Sequence, residues 1–398
     1  MNGKCILCGK KLPEKALFTL RKAPASAQKI PAREELSEDT GVSLSLSRCA
    51  FCGLTQFDAE PVSYYRDVIR AGGLSTTMTN LRRAQYAHFI ETCGLAGKRI
   101  LEAGCGRGEF LKVLTEFPVR AYGIEHSAKL CEIARDDGLT VWEDFPETAD
   151  HVIRAPGEDG PFDAFLSFNF LEHQPDPRAM LLSIRKSLTD AGVGLVTVPA
   201  LEYIVEKGSY YELIHDHIAY YTFASLRNLF RLTGFTVLEE EIINRDTIAM
   251  IVKKAPLPDM SAEEPGLSEN DDAELVGALA EGYRITQAEI EALGKKMALA
   301  GKTLAVWGAS HQGFTLLSTT PLGGFSEAVI DSAPFKQGRF APSSHVPIIS
   351  PDEFFADPAD AVLITAPGYT EEIAEIITKR SGGTVEVLTI RSSRIEYL

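Results

Sequence analysis

Three groups of residues have side chains whose types and spacing could do chemistry. The first is Glu102-Ala-Gly104-Cys-Gly106-Arg-Gly108, three alternate glycines behind a carboxylate. Glycine lets the backbone turn tightly and approach a ligand, and a helix starting behind the turn offers free N–H groups. The second is a pair of Cys-x-x-Cys-Gly segments, Cys5-Ile-Leu-Cys8-Gly9 and Cys49-Ala-Phe-Cys52-Gly53. This spacing lets two thiolates face one ion, and four thiolates close a tetrahedron with no position left for catalysis. Cys5, Cys8, Cys49 and Cys52 are therefore expected to hold a structural Zn²⁺. The competing redox use of Cys-x-x-Cys needs only one pair, beside a βαβ unit. The third group is His215-Asp216-His217, within Gly208–Thr222 and near tyrosines 210, 211, 220 and 221. Histidine titrates near neutral pH and suits a general base, with a tyrosine hydroxyl as donor to an enolate. The plainer reading is a polar surface loop whose aromatics pack under the next helix. His173 is either a second acid/base or a cap for the helix that follows.

The glycines need a strand before them and a helix after them. Ile100 and Leu101 end an apolar strand, and Phe110, Leu111, Val113 and Leu114 start a helical pattern. Ala121–Glu125 reads as the next strand, ending in a carboxylate about 20 residues on, where a ribose diol is usually held. Val141–Asp144 and Phe162–Asn169 follow as third and fourth strands, with Asp144 expected near an adenine. A dinucleotide fingerprint would put its third glycine where this chain has Glu109. The observed Glu-x-Gly-x-Gly-x-Gly instead resembles motif I of class I S-adenosylmethionine (SAM) methyltransferases. That resemblance implies SAM as cofactor, with Glu102, Gly104, Gly106, Gly108, Glu125, Asp144 and Asn169 around it. The bland alternative is a βα unit whose glycines serve only a turn.

The rest of the chain divides around this unit. Residues 1–60 form the expected zinc-binding domain, with a long loop or small sheet between the cysteine pairs. Residues 61–255 form the expected methyltransferase domain. Its entry segment, broken at Ala71–Met78, leads into a helix over Leu81–Ile90, and its sheet ends in a hairpin from Thr236–Leu238 and Ile248–Val252. Residues 256–274, polar and proline-bearing, read as a linker. Residues 275–398 begin with a helical pattern over Leu275–Leu299 and then alternate strands and helices, which predicts a second, smaller Rossmann-like α/β domain. Cys93, Cys105 and Cys131 are isolated and are expected to be small buried hydrophobes.

Taken together, these parts resemble the three-domain sugar C-methyltransferase family, which methylates C3 of nucleotide-linked 4-keto-deoxysugars. The resemblance rests on the paired cysteines, on Ile214-His-Asp-His-Ile-Ala-Tyr-Tyr221, and on Trp307-Gly-Ala-Ser-His-Gln-Gly313 with Asp331-Ser-Ala-Pro-Phe-Lys-Gln-Gly338. It implies a catalytic group of His217 as base, Asp216 in the position of a family glutamate, and Tyr220, the later aromatic of the motif. The family's leading tyrosine is Ile214 here, and its Pro-Gly-x-x-Ile-Pro-Ile stretch reads Pro342-Ser-Ser-His-Val-Pro-Ile348.

Composition bounds the rest. The 398 residues carry a formal net charge of −15, which disfavours nucleic acid as partner. No apolar run approaches the ~20 residues of a membrane span, and the first residues lack the apolar core of a signal peptide. A cytoplasmic enzyme acting on a small molecule is the expectation. The alternatives are O- or N-methylation of another metabolite, or a non-catalytic SAM-binding or scaffold protein.

Overall fold

The computed structural model describes residues 3–67, 75–258 and 273–398. Residues 71–74 of the expected break and most of the expected linker lie outside the described residues. The insert between the cysteine pairs forms a small sheet. In it β1 (Phe18–Ala23) pairs antiparallel with β2 (Val42–Arg48), and β2 with β3 (Thr55–Phe57). Strand alternation buries Leu44 and Leu46 on one face of β2.

After helix α1 (Thr76–Cys93) comes the central unit. It runs β4 (Arg99–Ala103), α2 (Glu109–Leu114), β5 (Arg120–Glu125), α3 (Ala128–Asp136), β6 (Val141–Glu143), β7 (Phe162–Phe168), α4 (Pro177–Lys186) and β8 (Leu188–Pro199). Then follow α5 (Leu201–Lys207), β9 (Ala219–Tyr220), α6 (Phe223–Leu232), β10 (Phe235–Ile243) and β11 (Thr247–Lys254). The sheet order is β10-β11-β8-β7-β4-β5-β6, parallel except for the closing β10–β11 hairpin. This is the seven-stranded sheet of class I methyltransferases. Its strand order reverses between β4 and β7, so a crevice opens at their carboxyl ends. Along β4, Ile100 packs with Phe89 and Leu111, while Leu101 and Ala103 join the opposite core with Phe165 and Ile184.

Strand β9 is not part of that sheet. It pairs with β3 and completes the N-terminal sheet as β1-β2-β3-β9. The segment carrying His215–His217 is thereby tied to the module carrying the cysteines, which nothing in the local sequence signals.

The C-terminal region comprises α7 (Ala273–Ala300), β12 (Leu304–Trp307), α8 (His311–Thr319), β13 (Ser326–Ile330), β14 (Ile348–Ile349), α9 (Pro351–Ala356), β15 (Ala361–Ile364), α10 (Thr370–Ser381), β16 (Glu386–Ile390) and β17 (Ile395–Tyr397). Its sheet, β14-β13-β12-β15-β16-β17, is parallel apart from β17 and reverses order between β12 and β15. One core cluster runs through all three regions, including Leu46 and Phe57, Tyr210 and Leu213, and Leu293, Val306 and Leu363.

Candidate active site

Glycines 104, 106 and 108 have φ of +72°, +59° and +82°, left-handed values that disfavour any side chain. A Cβ at Gly104 would stand 3.0 Å from the Phe170 ring, and one at Gly108 would stand 2.3 Å from Leu139 Cδ1. At Gly106 the nearest such atom is 3.8 Å away, so that edge of the loop is open to a ligand. Glu125, buried at the end of β5, accepts the Gly106 N–H at 3.0 Å on Oε2 and the Ser127 N–H at 3.0 Å on Oε1. The expected ribose-binding carboxylate therefore also fastens the loop. Glu102 is buried at the end of β4. Asp144 Oδ1 accepts the Phe145 N–H at 2.8 Å and lies 2.8 Å from His151 Nε2. Asn169 follows β7 at φ +48°, its Oδ1 accepting the Thr197 hydroxyl at 3.2 Å.

An aromatic group that the sequence reading did not single out stands at this crevice. Phe145 makes edge contacts with Tyr65, His126 and Phe170 at 5.8–6.1 Å between ring centroids. Tyr65 donates to Glu147 at 3.1 Å, and Arg66 pairs with the same carboxylate. The only sequence signal was the position of Phe145 and Phe170 just past strand ends. An open glycine edge, a carboxylate at the second strand and flat apolar walls fit a charged nucleoside such as SAM.

The four cysteines come together as expected, with all four sulfurs within 4.8 Å of one another. Cys5–Cys52 and Cys8–Cys49 Sγ distances are 3.4 and 3.6 Å. Ligands 2.3 Å from a tetrahedral Zn²⁺ would stand about 3.8 Å apart, so the donor set and its size both fit that ion. Gly9 and Gly53, at φ +73° and +75°, donate back to Cys5 and Cys49 carbonyls and make the two turns. Asn228 of α6 donates to the Cys52 carbonyl at 3.2 Å, which fixes the cluster to the central unit. Cys105 and Cys131 are buried, and burial pushes both thiols up in pKa, so neither is a ready nucleophile.

His217 meets His173 at a ring-centroid distance of 4.7 Å, nearly perpendicular. The two segments are laced together, as Ile218 N–H donates to the Glu172 carbonyl at 2.9 Å and His173 Nδ1 to the Asp216 carbonyl at 2.7 Å. Burial pushes His217 well below its ordinary pKa, with the nearby His173 and His311 acting in the same direction. Burial also lowers His173, against the opposing effect of the Asp216 carbonyl. Both imidazoles are therefore held neutral near pH 7, one able to accept a proton beside the other.

The neighbouring residues have other occupations. Asp216 is buried and directs its carboxylate to the Ala27 N–H and the Tyr64 hydroxyl, each at 2.7 Å. His215 lies between the carbonyls of Ala25 and Glu60, at 2.9 and 2.8 Å. Tyr220 hydroxyl spans the loop neck, accepting the Ile214 N–H at 2.8 Å and lying 3.1 Å from its carbonyl. Tyr210, Tyr211 and Tyr221 reach Thr319, the Ser392 carbonyl and the Leu171 carbonyl. The four tyrosines fasten the loop, and each hydroxyl already has a protein partner. Glu212, unremarked in the sequence, takes His311 Nε2 at 3.1 Å and Gln312 Nε2 at 2.6 Å from the start of α8.

Residues 78–240 match the methyltransferase domain family, and residues 236–388 match the C-methyltransferase C-terminal domain. The chain is a SAM-dependent methyltransferase. The methyltransferase is similar to the C-methyltransferase NovU of Streptomyces niveus, 26% identical over 298 residues, 72% of this chain and 70% of that one. A ubiquinone biosynthesis O-methyltransferase of Thiobacillus denitrificans is 29% identical over 102 residues, but this covers only 25% of this chain and 43% of the relative. Among solved structures, magnesium protoporphyrin IX methyltransferase of Synechocystis, with bound SAH, superposes with a TM-score of 0.36 at 16% identity, covering 48% of this chain and 97% of that one. Among the described residues, no helix is long and apolar enough to cross a membrane.

Proposed function

We propose that this methyltransferase adds a methyl group to the carbon beside a ketone, in a nucleotide-linked 4-keto-deoxysugar, with His217 as the base. The observation that carries the reading is the half-buried, neutral His217 packed against His173, in a chain whose residues 236–388 match a C-methyltransferase C-terminal domain. A carbon becomes nucleophilic only after losing a proton, whereas an oxygen acceptor needs less help. SAM supplies an electrophilic methyl on a sulfonium, held by the Gly104–Gly108 loop, Glu125, Asp144 and Asn169. His217 takes the proton from the acceptor carbon, and the resulting imidazolium offsets the charge growing on the enolate oxygen. In this reading Asp216 and Tyr220 are positioning residues, because their polar atoms hold the loop that carries His217.

The nucleotide half of the substrate is assigned to the crevice between β12 and β15. That switch point repeats features of the cofactor loop. Gly308 sits at φ +123°, and Asp331, just past β13, accepts the Ala309 N–H at 3.0 Å, as Glu125 does for Gly106. Lys336 Nζ reaches Asp331 and the Ala309 carbonyl at 3.0 and 2.8 Å, putting a cation beside the turn.

The test is incubation with ¹³C-methyl SAM and a panel of nucleotide-linked 4-keto-deoxysugars, followed by carbon NMR. A new methyl bonded to carbon is expected. A methoxy signal would transfer the assignment to O-methylation, the reading favoured by the O-methyltransferase relatives over a quarter of the chain.

A further inference from the structure

Glu172, His173 and His217 each present one ligand atom, and these three atoms all lie within 4.8 Å of one another. They are distant in sequence from the cysteine pairs and different in kind, offering two nitrogens and an oxygen. His173 donates Nδ1–H to the Asp216 carbonyl at 2.7 Å, so its Nε2 carries the lone pair in the neutral ring. That nitrogen lies 3.9 Å from Glu172 Oε1. A ligating histidine characteristically gives its other N–H to a carbonyl or carboxylate, which fixes tautomer and ring plane. Here the supporting carbonyl is itself immobilised, because the Asp216 side chain is held by Ala27 and Tyr64. The Ile218 N–H bond to the Glu172 carbonyl locks the remaining two ligand segments to each other. Glu172 and His173 are 2% and 7% exposed, while His217 keeps an open side.

We propose that Glu172, His173 and His217 form a second cation site, for a borderline divalent ion of the Zn²⁺ or Co²⁺ class, and that the ion inhibits methyl transfer. Two imidazoles and one carboxylate suit such ions and leave coordination positions open, unlike the closed set of four thiolates. Ligand bonds of about 2.0–2.2 Å require the three atoms to draw together by roughly 1 Å, within reach of side-chain rotation. Inhibition follows because the ion takes the lone pair with which His217 would accept the substrate proton. Binding itself depends only on the three side chains, whereas the inhibition rests on His217 being the base.

The experiment uses the full-length enzyme with its cysteine site filled by Zn²⁺, titrated with Co²⁺ at neutral pH. One further equivalent should bind with d–d absorption and without the sulfur-to-cobalt charge-transfer band of a thiolate site. His173→Gln and Glu172→Gln should each weaken this binding at least 10-fold while SAM affinity is kept. In ¹⁵N-histidine spectra of the wild type, paramagnetic Co²⁺ should broaden the His173 and His217 signals first, a readout that needs no variant. No second equivalent, or one that leaves those signals sharp, overturns the site. Co²⁺ should also suppress turnover, and chelation should restore it. Site binding with undiminished turnover overturns the inhibitory role and counts against His217 as base, while the cation site stands.

Discussion

The imidazole of His217 is half-buried, and burial, with His173 and His311 acting in the same direction, favours its neutral form. An unfolded histidine titrates near 6.5, while the folded values of His217 and His173 lie lower. Between those values the unfolded chain holds more protons. Stability should therefore fall as pH drops below about 6.5 and level off once the folded values are passed. Thermal melting across that window should show a shallower slope in His217→Asn than in wild type. The acid limb of kcat/KM should likewise lie below pH 6.5. His217→Asn should lower turnover by about 10²-fold with SAM affinity unchanged, and should abolish exchange of the substrate's α-proton in heavy water. Exchange at the wild-type rate would move the base to His173. Glu125→Ala removes the acceptor of two loop N–H groups as well as the expected ribose contact, so SAM binding should weaken by about 2 kcal/mol. Unchanged affinity in calorimetry would place the ribose elsewhere. The glycine loop was readable because a left-handed turn is a local demand on residue type. The partners of Asp216 and the four tyrosines were not, because side-chain direction is set by elements far away in sequence.

At the scale of elements, the cysteine cluster and the histidine segment are joined through β3. Cys49 and Cys52 immediately precede it, Gln56 within it accepts the Ile6 N–H at 2.9 Å, and its outer edge pairs with β9 just after His217. Phe57 N–H adds a bond to the Ile218 carbonyl at 3.0 Å. Four thiolates leave the ion no open position, so zinc takes no direct part in chemistry. This connection argues for a wider effect. Removing zinc with a chelator should lower the melting temperature and also reduce turnover, with a smaller change in SAM affinity because the glycine loop lies in another sheet. Metal analysis should return about one equivalent in the cysteine site. Turnover unaffected by complete zinc loss would show that β9 holds its place without the cluster. Most strands were legible from apolar runs and turn residues, but β9 has only two residues, and its pairing is visible only when the chain is folded.

At the scale of the molecule, divisions near residues 60, 255 and 274 are a proposal about folding units, and the core argues that those units are strongly coupled. Tyr210 and Tyr211, from the central unit, are almost wholly buried, with their hydroxyls on Thr319 and the Ser392 carbonyl of the C-terminal region. Tyr210 also meets Tyr283 of α7 at 4.8 Å, edge to face, and Tyr283 stacks on Phe18 of β1 at 5.0 Å. A cluster made of one aromatic from each region loses its packing if any region leaves. Separate domains usually meet through more polar surfaces and unfold separately. This protein should instead unfold in one calorimetric transition, and a chain ending at residue 258 should melt lower because the buried Tyr210 and Tyr211 would face water. Tyr283→Ala should destabilise the whole molecule by about 1–2 kcal/mol, less than a core deletion because the ring is only partly buried where it meets Tyr210 and Phe18. Two resolved transitions in the full-length protein, with only one shifted by Tyr283→Ala, would mean that the shared cluster is an interface between independent units.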